Sequence, residues 1–264
     1  MAINTFARKE IKFLLNMEQY ENLMLTLQEY MEPDKYCVGG QEYSIHNIYY
    51  DTLDDFLIRE SLAKPYYKEK IRLRSYYAAA KPDAPVFLEI KKKIGGIVTK
   101  RRVSMTLAES DEYLADGSKP EFDKYITEQV FRELDAFLEH YPIMPKQYIS
   151  YRREAFFGKD DHDFRLTFDR MITERRYDLH LSYDSYGNQI IGENERLMEV
   201  KVSNSIPAWL VEKLSELKIY KTSFSKYGRA YTNFVQGKAA ENAEHMYISG
   251  ITLINNGILL NRSV

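Results

Sequence analysis

Between Lys70 and Lys93 the sequence sets ionisable residues at every second position. Lys70, Arg72 and Arg74 alternate with Ile71 and Leu73; after a turn holding Pro82 and Pro85, Glu89 and Lys91 alternate with Leu88 and Ile90. In an extended strand, residues two apart point the same way, so this hairpin has one charged face and one apolar face. The pattern recurs with Arg8, Glu10 and Lys12, with Lys100 and Arg102, with Tyr151, Arg153 and Ala155, with Arg165 and Thr167, and with Glu199 and Lys201. Arginine offers a planar fork that donates two parallel hydrogen bonds to a phosphate, and lysine adds a mobile point charge. Gathering such cations is costly without an anion. Two unit charges ~6 Å apart repel by roughly 3 kcal/mol at an effective dielectric near 20. A few such pairs rival the net stability of a domain, about 5–15 kcal/mol. The chemistry these residues could do is to hold a polyanion. No histidine or cysteine nucleophile stands out: His46, His140, His162, His180 and His245 are scattered, and Cys37 sits beside Gly39-Gly40 in a loop.

Six or more strands that each carry a charged face cannot all be half-exposed sheet edges. An antiparallel barrel with a polar interior satisfies them together, and closure removes the edges. The expected fold is therefore α+β, a closed antiparallel β-tunnel with a basic interior and flanking helices. Helical spacing of apolar residues predicts helices over Met17–Met31 with Asn16 as N-cap, Leu107–Leu114, Glu121–Tyr141 and Ser205–Leu217. A short helix or turn is expected over Leu53–Leu62 and a last helix from Ser225 to Val235. Strands are expected at Tyr43–Asp51 and Tyr177–Leu181 as well as in the charged segments.

The 264 residues are 44% hydrophobic and 29% charged, which suits one globular domain spanning 1–264, with a core of about 5–235 and a C-terminal extension over 236–264. The formal net charge of −2 gives no overall basic excess to suggest nucleic acid; the cations are concentrated in particular strands. A single cysteine excludes an intrachain disulfide framework and fits a reducing compartment. The first residues carry Arg8, Lys9, Glu10 and Lys12 and do not read as a secretion signal, and no run approaches the 18 or so apolar residues of a membrane helix. The stretch from Tyr247 to Leu260 reads as a late strand pair turning at Asn256-Gly257.

The order of Arg8-x-Glu10-x-Lys12, Tyr49-Tyr50-Asp51, Arg72-x-Arg74, Glu89-x-Lys91, Tyr151-x-Arg153-x-Ala155-Phe156, Glu199-x-Lys201 and Phe224-Ser225-Lys226-Tyr227 resembles the VTC domain. That is the catalytic domain of polyphosphate polymerases of the vacuolar transporter chaperone type. It belongs with the CYTH phosphatases and RNA triphosphatases among the triphosphate tunnel metalloenzymes. The likeness runs from roughly Thr5 to Phe234. It implies an eight-stranded tunnel in which Lys12, Arg72, Arg74, Lys91, Arg153 and Glu199 form the catalytic set. Arg8, Lys100, Arg102, Tyr151, Arg165, Lys201, Ser225 and Lys226 would bind phosphates, and Glu199, Glu10 and Glu89 would hold a manganese or magnesium ion. The implied activity moves the γ-phosphate of ATP onto a growing polyphosphate chain. Hydrolysis of triphosphate or a nucleoside triphosphate in the same fold is an alternative, and so is a non-catalytic polyphosphate-binding module. Expected partners are ATP, triphosphate, pyrophosphate and polyphosphate, with a membrane partner protein and a cytoplasmic location. Arg8 stands where the phosphatase branch has glutamate, which weakens a metal site and favours the polymerase branch. Ser223 and Lys93 replace a lysine and a histidine common in eukaryotic polymerases.

Overall fold

The computed structural model describes residues 9–95, 97–122, 124–203 and 205–238. Arg8 and the strand pair expected between Tyr247 and Leu260 lie outside them. The alternating segments form one antiparallel sheet whose long strands are β1 (Lys9–Leu15), β3 (Tyr43–Thr52), β4 (Tyr67–Ser75), β5 (Pro85–Ile94), β6 (Ile97–Thr106), β7 (Ile143–Gly158), β8 (Arg165–Arg175) and β10 (Arg196–Val202). Three short strands, β2 (Met31–Pro33), β9 (Asn188–Gln189) and β11 (Lys221–Thr222), complete it. The main path runs β11-β1-β10-β8-β7-β3-β4-β5-β6.

The expected closed barrel is not what forms. β6 and β11 lie at opposite ends of the path and do not pair. With two residues, β11 is too short to offer a partner ladder, and the chain leaves it to begin a helix, α6 (226–238). The sheet still curls strongly. β1 and β5 are six strand spacings apart, about 29 Å in a flat sheet at about 4.8 Å per strand. A charge at that range would be screened away in water, yet Lys91 on β5 helps lower the pKa of Glu10 on β1, and Lys12 on β1 helps lower that of Lys70 on β4. The result is an open trough with the charged residues on its concave face.

Helices cover the convex side. α1 (Met17–Tyr30) begins with a capping box between Asn16 and Gln19, and with α5 (Ala208–Glu216) it packs Leu23, Leu27 and Leu210 on Phe13, Phe168, Met198 and Val200. α3 (Leu107–Asp116) and α4 (Tyr125–His140) pack Tyr113, Phe131, Leu134 and Phe137 on Ile71, Leu73, Leu88 and Ile90. These are the apolar halves of the alternating strands, so covering them fixes which face the cations take. α2 (Phe56–Leu62) follows β3. Among the described residues no helix is long and apolar enough to cross a membrane.

The segment Tyr177–Leu181, expected as a strand, is an irregular loop. The buried Arg175 explains it. Its guanidinium donates to the carbonyls of Tyr177, Asp178, Asp184 and Tyr186 and lies 3.6 and 4.1 Å from the ring centres of Tyr148 and Tyr186. Backbone carbonyls turned toward one cation are withdrawn from a ladder.

Candidate functional site

One wall of the trough is built by β4, β5 and β6. Their register sets Arg72 opposite Glu89, Glu89 opposite Arg102, Lys70 opposite Lys91 and Lys91 opposite Lys100. Glu89 is 2% exposed. Arg72 Nε donates to its Oε2 at 2.7 Å, Lys100 Nζ lies 2.5 Å from Oε1, and Arg74 Nε is 3.9 Å away. Burial alone would raise the Glu89 pKa; Arg72, Arg74 and Lys100 overcome it and hold the group at about 2. Arg72 also donates to Tyr49 Oη at 3.0 Å, and Arg74 to Asn47 Oδ1 at 2.9 Å and Tyr151 Oη at 3.4 Å. These neutral partners aim both guanidiniums without cancelling their charge.

Lys70 and Lys91 have no carboxylate partner among the described residues; Lys70 Nζ lies 3.5 Å from Ser225 Oγ. Burial, then Lys68, Lys91, Lys12 and Arg72, push the Lys70 pKa down to about 7. Lys100 is pushed down to about 8 by burial, with Glu89 opposing and Arg72 and Arg74 adding to the fall. Like charges set directly opposite one another are destabilising, and a polyanion laid along this wall would relieve that repulsion. Arg102 sits at the margin, 4.8 Å from the ring centre of Phe87.

The facing wall comes from β1, β10, β8 and β7 with the start of α6. Its centre is Asp169, fully buried. Arg153 clamps it with two bonds of 2.6 and 2.7 Å, and Lys226 Nζ reaches it at 2.5 Å. Glu199 lies 3.2 Å from Lys226, 3.4 Å from Lys12 and 3.5 Å from Arg153. Glu10 is 3.3 Å from Lys12. Burial opposes ionisation of both Asp169 and Glu199, but the surrounding cations, led by Arg153 and Lys226 respectively, keep both pKa values below the usual carboxylate range. Burial works against Lys226 and Lys12 too, yet these carboxylates raise both lysine pKa values. Lys201, beside Glu10 on β1 and Arg165 on β8, is lowered by burial. Arg165 is turned to the margin, 3.6 Å from Asp34 and 3.5 Å from Tyr43 Oη.

Local geometry delivers these groups. A register shift in β8, where Met171 takes a left-handed φ of 49°, brings Arg153 opposite Asp169. α6 enters the trough through Tyr227, whose ring stacks on Tyr49 at 4.7 Å and whose hydroxyl donates to Asp51 at 2.8 Å. Asp51, fully buried, also accepts from the backbone N–H groups of Thr52, Leu57 and Ile58. It thereby ties α2, β3 and α6 together beside Lys226. Ser225 Oγ accepts from Gly228 N at 3.2 Å at the start of that helix.

The structure thus gathers Lys12, Arg72, Arg74, Lys91, Lys100, Tyr151, Arg153, Lys201, Ser225, Lys226, Glu10, Glu89 and Glu199 on one concave face. Arg102 and Arg165 stand at its margins, and Arg8 is outside the described residues. The three carboxylates expected to hold metal are not brought together: Glu89 belongs to the opposite wall, enclosed by cations. Among the described residues no group of three or more His, Cys, Asp or Glu side chains could hold an ion. Glu10 and Glu199, which flank Lys12 and repel one another's charge, suit a magnesium-type ion that takes one or two carboxylates and fills its remaining positions with water and phosphate oxygens. The residue that sequence reasoning missed is Asp169. Its signal was present, because Arg165, Thr167 and Asp169 continue one alternation, one step past the segment considered.

No curated protein sequence is significantly similar to the chain. Among solved structures, a Bacillus halodurans protein described as a candidate adenylate cyclase superposes with a TM-score of 0.50 at 15% identity, over 83% of this chain and 95% of that one. That likeness concerns the fold. The Schizosaccharomyces pombe Mediator head module gives a TM-score of 0.40 at 9% identity, over 80% of this chain and 90% of that one, too low to bear on either fold or function. The family model described as the VTC domain matches residues 7–235. With that match over most of its length, the chain belongs to the VTC domain family.

Proposed function

We propose that the chain is a polyphosphate polymerase that transfers the γ-phosphoryl of ATP to a phosphate or polyphosphate end in the trough. The observation that carries this reading is the uncompensated pair Lys70 and Lys91 beside Arg72, Arg74 and Lys100, which share the one carboxylate Glu89, facing a wall richer in carboxylates. Phosphoryl transfer needs charge neutralisation and in-line positioning more than a covalent nucleophile. Arg72 and Arg74, aimed by Tyr49, Asn47 and Tyr151 and sharing Glu89, bind and orient the phosphates; Lys70, Lys91 and Lys100 neutralise the charge that develops on the transferring group. Lys12, Arg153 and Lys226 fix the geometry of the opposite wall. Glu10 and Glu199 would hold a divalent ion, manganese or magnesium, which when bound supplies further neutralisation of phosphate charge.

A phosphate acceptor suits the carboxylates: it is already ionised and needs no base, whereas Glu89 at about 2 and Glu199 well below its usual range are poor proton acceptors for water. Lys70, at about 7, is the group in the trough that a hydrolase would use as base, and the products formed separate the two acceptors. A cytoplasmic location, where ATP is supplied, goes with this function.

The test is incubation with ATP, manganese and a pyrophosphate primer, with products resolved on a gel stained for polyphosphate and free phosphate assayed in the same tube. A ladder with ADP released in step is expected. Free phosphate without a ladder, above all from tripolyphosphate, would make the chain a hydrolase. Neither product, with tripolyphosphate still bound, would leave a binding module.

A further inference from the structure

The β5–β6 hairpin runs past the helices that cover it. α4 contributes Glu133, 3.7 Å from Lys92 and 3.4 Å from Arg101. Beyond that point the convex face continues with Tyr67, Ile94 and Ile97, adjacent in register and in line with the buried stripe of Ile71 and Ile90. Where the stripe is under α3 and α4 its members are buried; here Ile97 is 58% exposed, Ile94 45% and Tyr67 43%. Tyr66 folds against the turn, its ring 3.0 Å from where a Cβ on Gly95 would stand, and is still 77% exposed.

The concave side of the same tip is basic. Lys68 lies directly opposite Lys93, and Lys64 and Lys91 are near enough to join Lys93 and burial in depressing the Lys68 pKa. Glu69, the nearest carboxylate on these strands, points to the other face and sits 3.9 Å from Lys92. The tip is therefore an amphipathic hairpin, apolar on one side and lysine-lined on the other. A stable protein interface needs about 800 Å² on each partner, roughly 20–30 residues a side, whereas the apolar side of the tip exposes Tyr66, Tyr67, Ile94 and Ile97. A bilayer interface accepts a few apolar side chains at headgroup depth and draws nearby lysines to anionic lipid.

We propose that this tip docks the protein on an anionic phospholipid surface, with Tyr66, Ile94 and Ile97 entering the headgroup layer and Lys64, Lys68 and Lys93 meeting the lipid phosphates. The docking site is distinct from the phosphoryl-transfer reading and stands without it.

The test is co-sedimentation of the full chain with protein-free vesicles of phosphatidylcholine alone, or with about one-quarter phosphatidylserine. Sedimentation is expected only with the anionic vesicles, and a loss of about tenfold or more in Tyr66→Glu plus Ile97→Glu and, separately, in Lys64→Glu plus Lys93→Glu. Two independent pairs keep the test valid if one fails to fold, which a thermal melt will show. Absence of sedimentation with anionic vesicles, or retention by both folded variants, would overturn the proposal. Saturating tripolyphosphate should leave binding in place. Release by tripolyphosphate, with the Tyr66→Glu plus Ile97→Glu pair still bound, would mean that headgroups are caught in the trough, and would overturn it as well.

Discussion

On β4, β5 and β6 a single carboxylate, Glu89, faces Arg72, Arg74 and Lys100, and Lys70 and Lys91 are left over. Across the trough Glu10, Asp169 and Glu199 face Lys12, Arg153 and Lys226. The lysines record the difference. Lys70 and Lys100 are pushed down to about 7 and about 8, mainly by burial, whereas Lys12 and Lys226 are raised by their carboxylates despite burial. Residue types alone would not separate the two walls, since both alternate cations with carboxylates. The ratio of charges, and how deeply each carboxylate is enclosed, decides that one wall is internally compensated and the other requires a ligand.

The largest effect should come from breaking the compensated wall. Asp169→Ala removes the closest carboxylate of buried Arg153 and Lys226 and leaves them only Glu199, at 3.5 and 3.2 Å; breaking a buried ion pair costs roughly 3–5 kcal/mol. Denaturant titration should register a loss of that order; a change below about 1 kcal/mol would mean the cations find other partners or water. On the ligand-seeking wall, Arg72→Ala should weaken tripolyphosphate binding by roughly 1.5–3 kcal/mol, the usual size for a charge-assisted hydrogen bond, as read by calorimetry. Glu89→Gln should act with the opposite sign. It frees Arg72 and Lys100 of their anion, so tripolyphosphate binding tightens while the melting temperature of the free protein falls, because breaking a buried ion pair destabilises the fold. Weaker binding in that variant would return Glu89 to the metal set.

The smallest effect is in pH. Lys70 titrates near 7 in the folded chain and near its ordinary 10.5 when unfolded. The unfolded chain therefore binds more protons between these values, and this lysine's contribution to stability rises with pH across that window. Tripolyphosphate needs the charged form, so its affinity should fall from pH 6 to pH 9. Lys70→Gln should flatten that fall. An unchanged slope would place the titrating group elsewhere.

Much of this architecture is legible in the sequence because period-two alternation fixes which face a residue takes. The strand segments and the shared face of Arg72, Arg74, Glu89 and Lys91 follow from it, and the helix capped by Asn16 follows from its own helical spacing; the register that pairs Arg72 with Glu89 does not. Closure does not, because it depends on whether the first and last strands meet, and β11 has only Lys221 and Thr222 to offer. The grouping of Glu89 apart from Glu10 and Glu199 was equally hidden. All three lie on concave-facing positions, and only the strand order, with Glu89 on β5 and the others on β1 and β10, puts them on opposite walls. Arg175, a loop organiser inside a basic run, gives no local signal of its role.

The central claim is that the uncompensated wall receives the polyanion. Lys70→Gln plus Lys91→Gln tests it most directly, because neither lysine has a carboxylate partner among the described residues, so their removal breaks no ion pair. Calorimetric titration with tripolyphosphate should show a dissociation constant raised at least about tenfold, and the free variant should melt no lower than the wild type at neutral pH. An unchanged dissociation constant would contradict the account and move the polyanion to the wall of Lys12, Arg153 and Lys226.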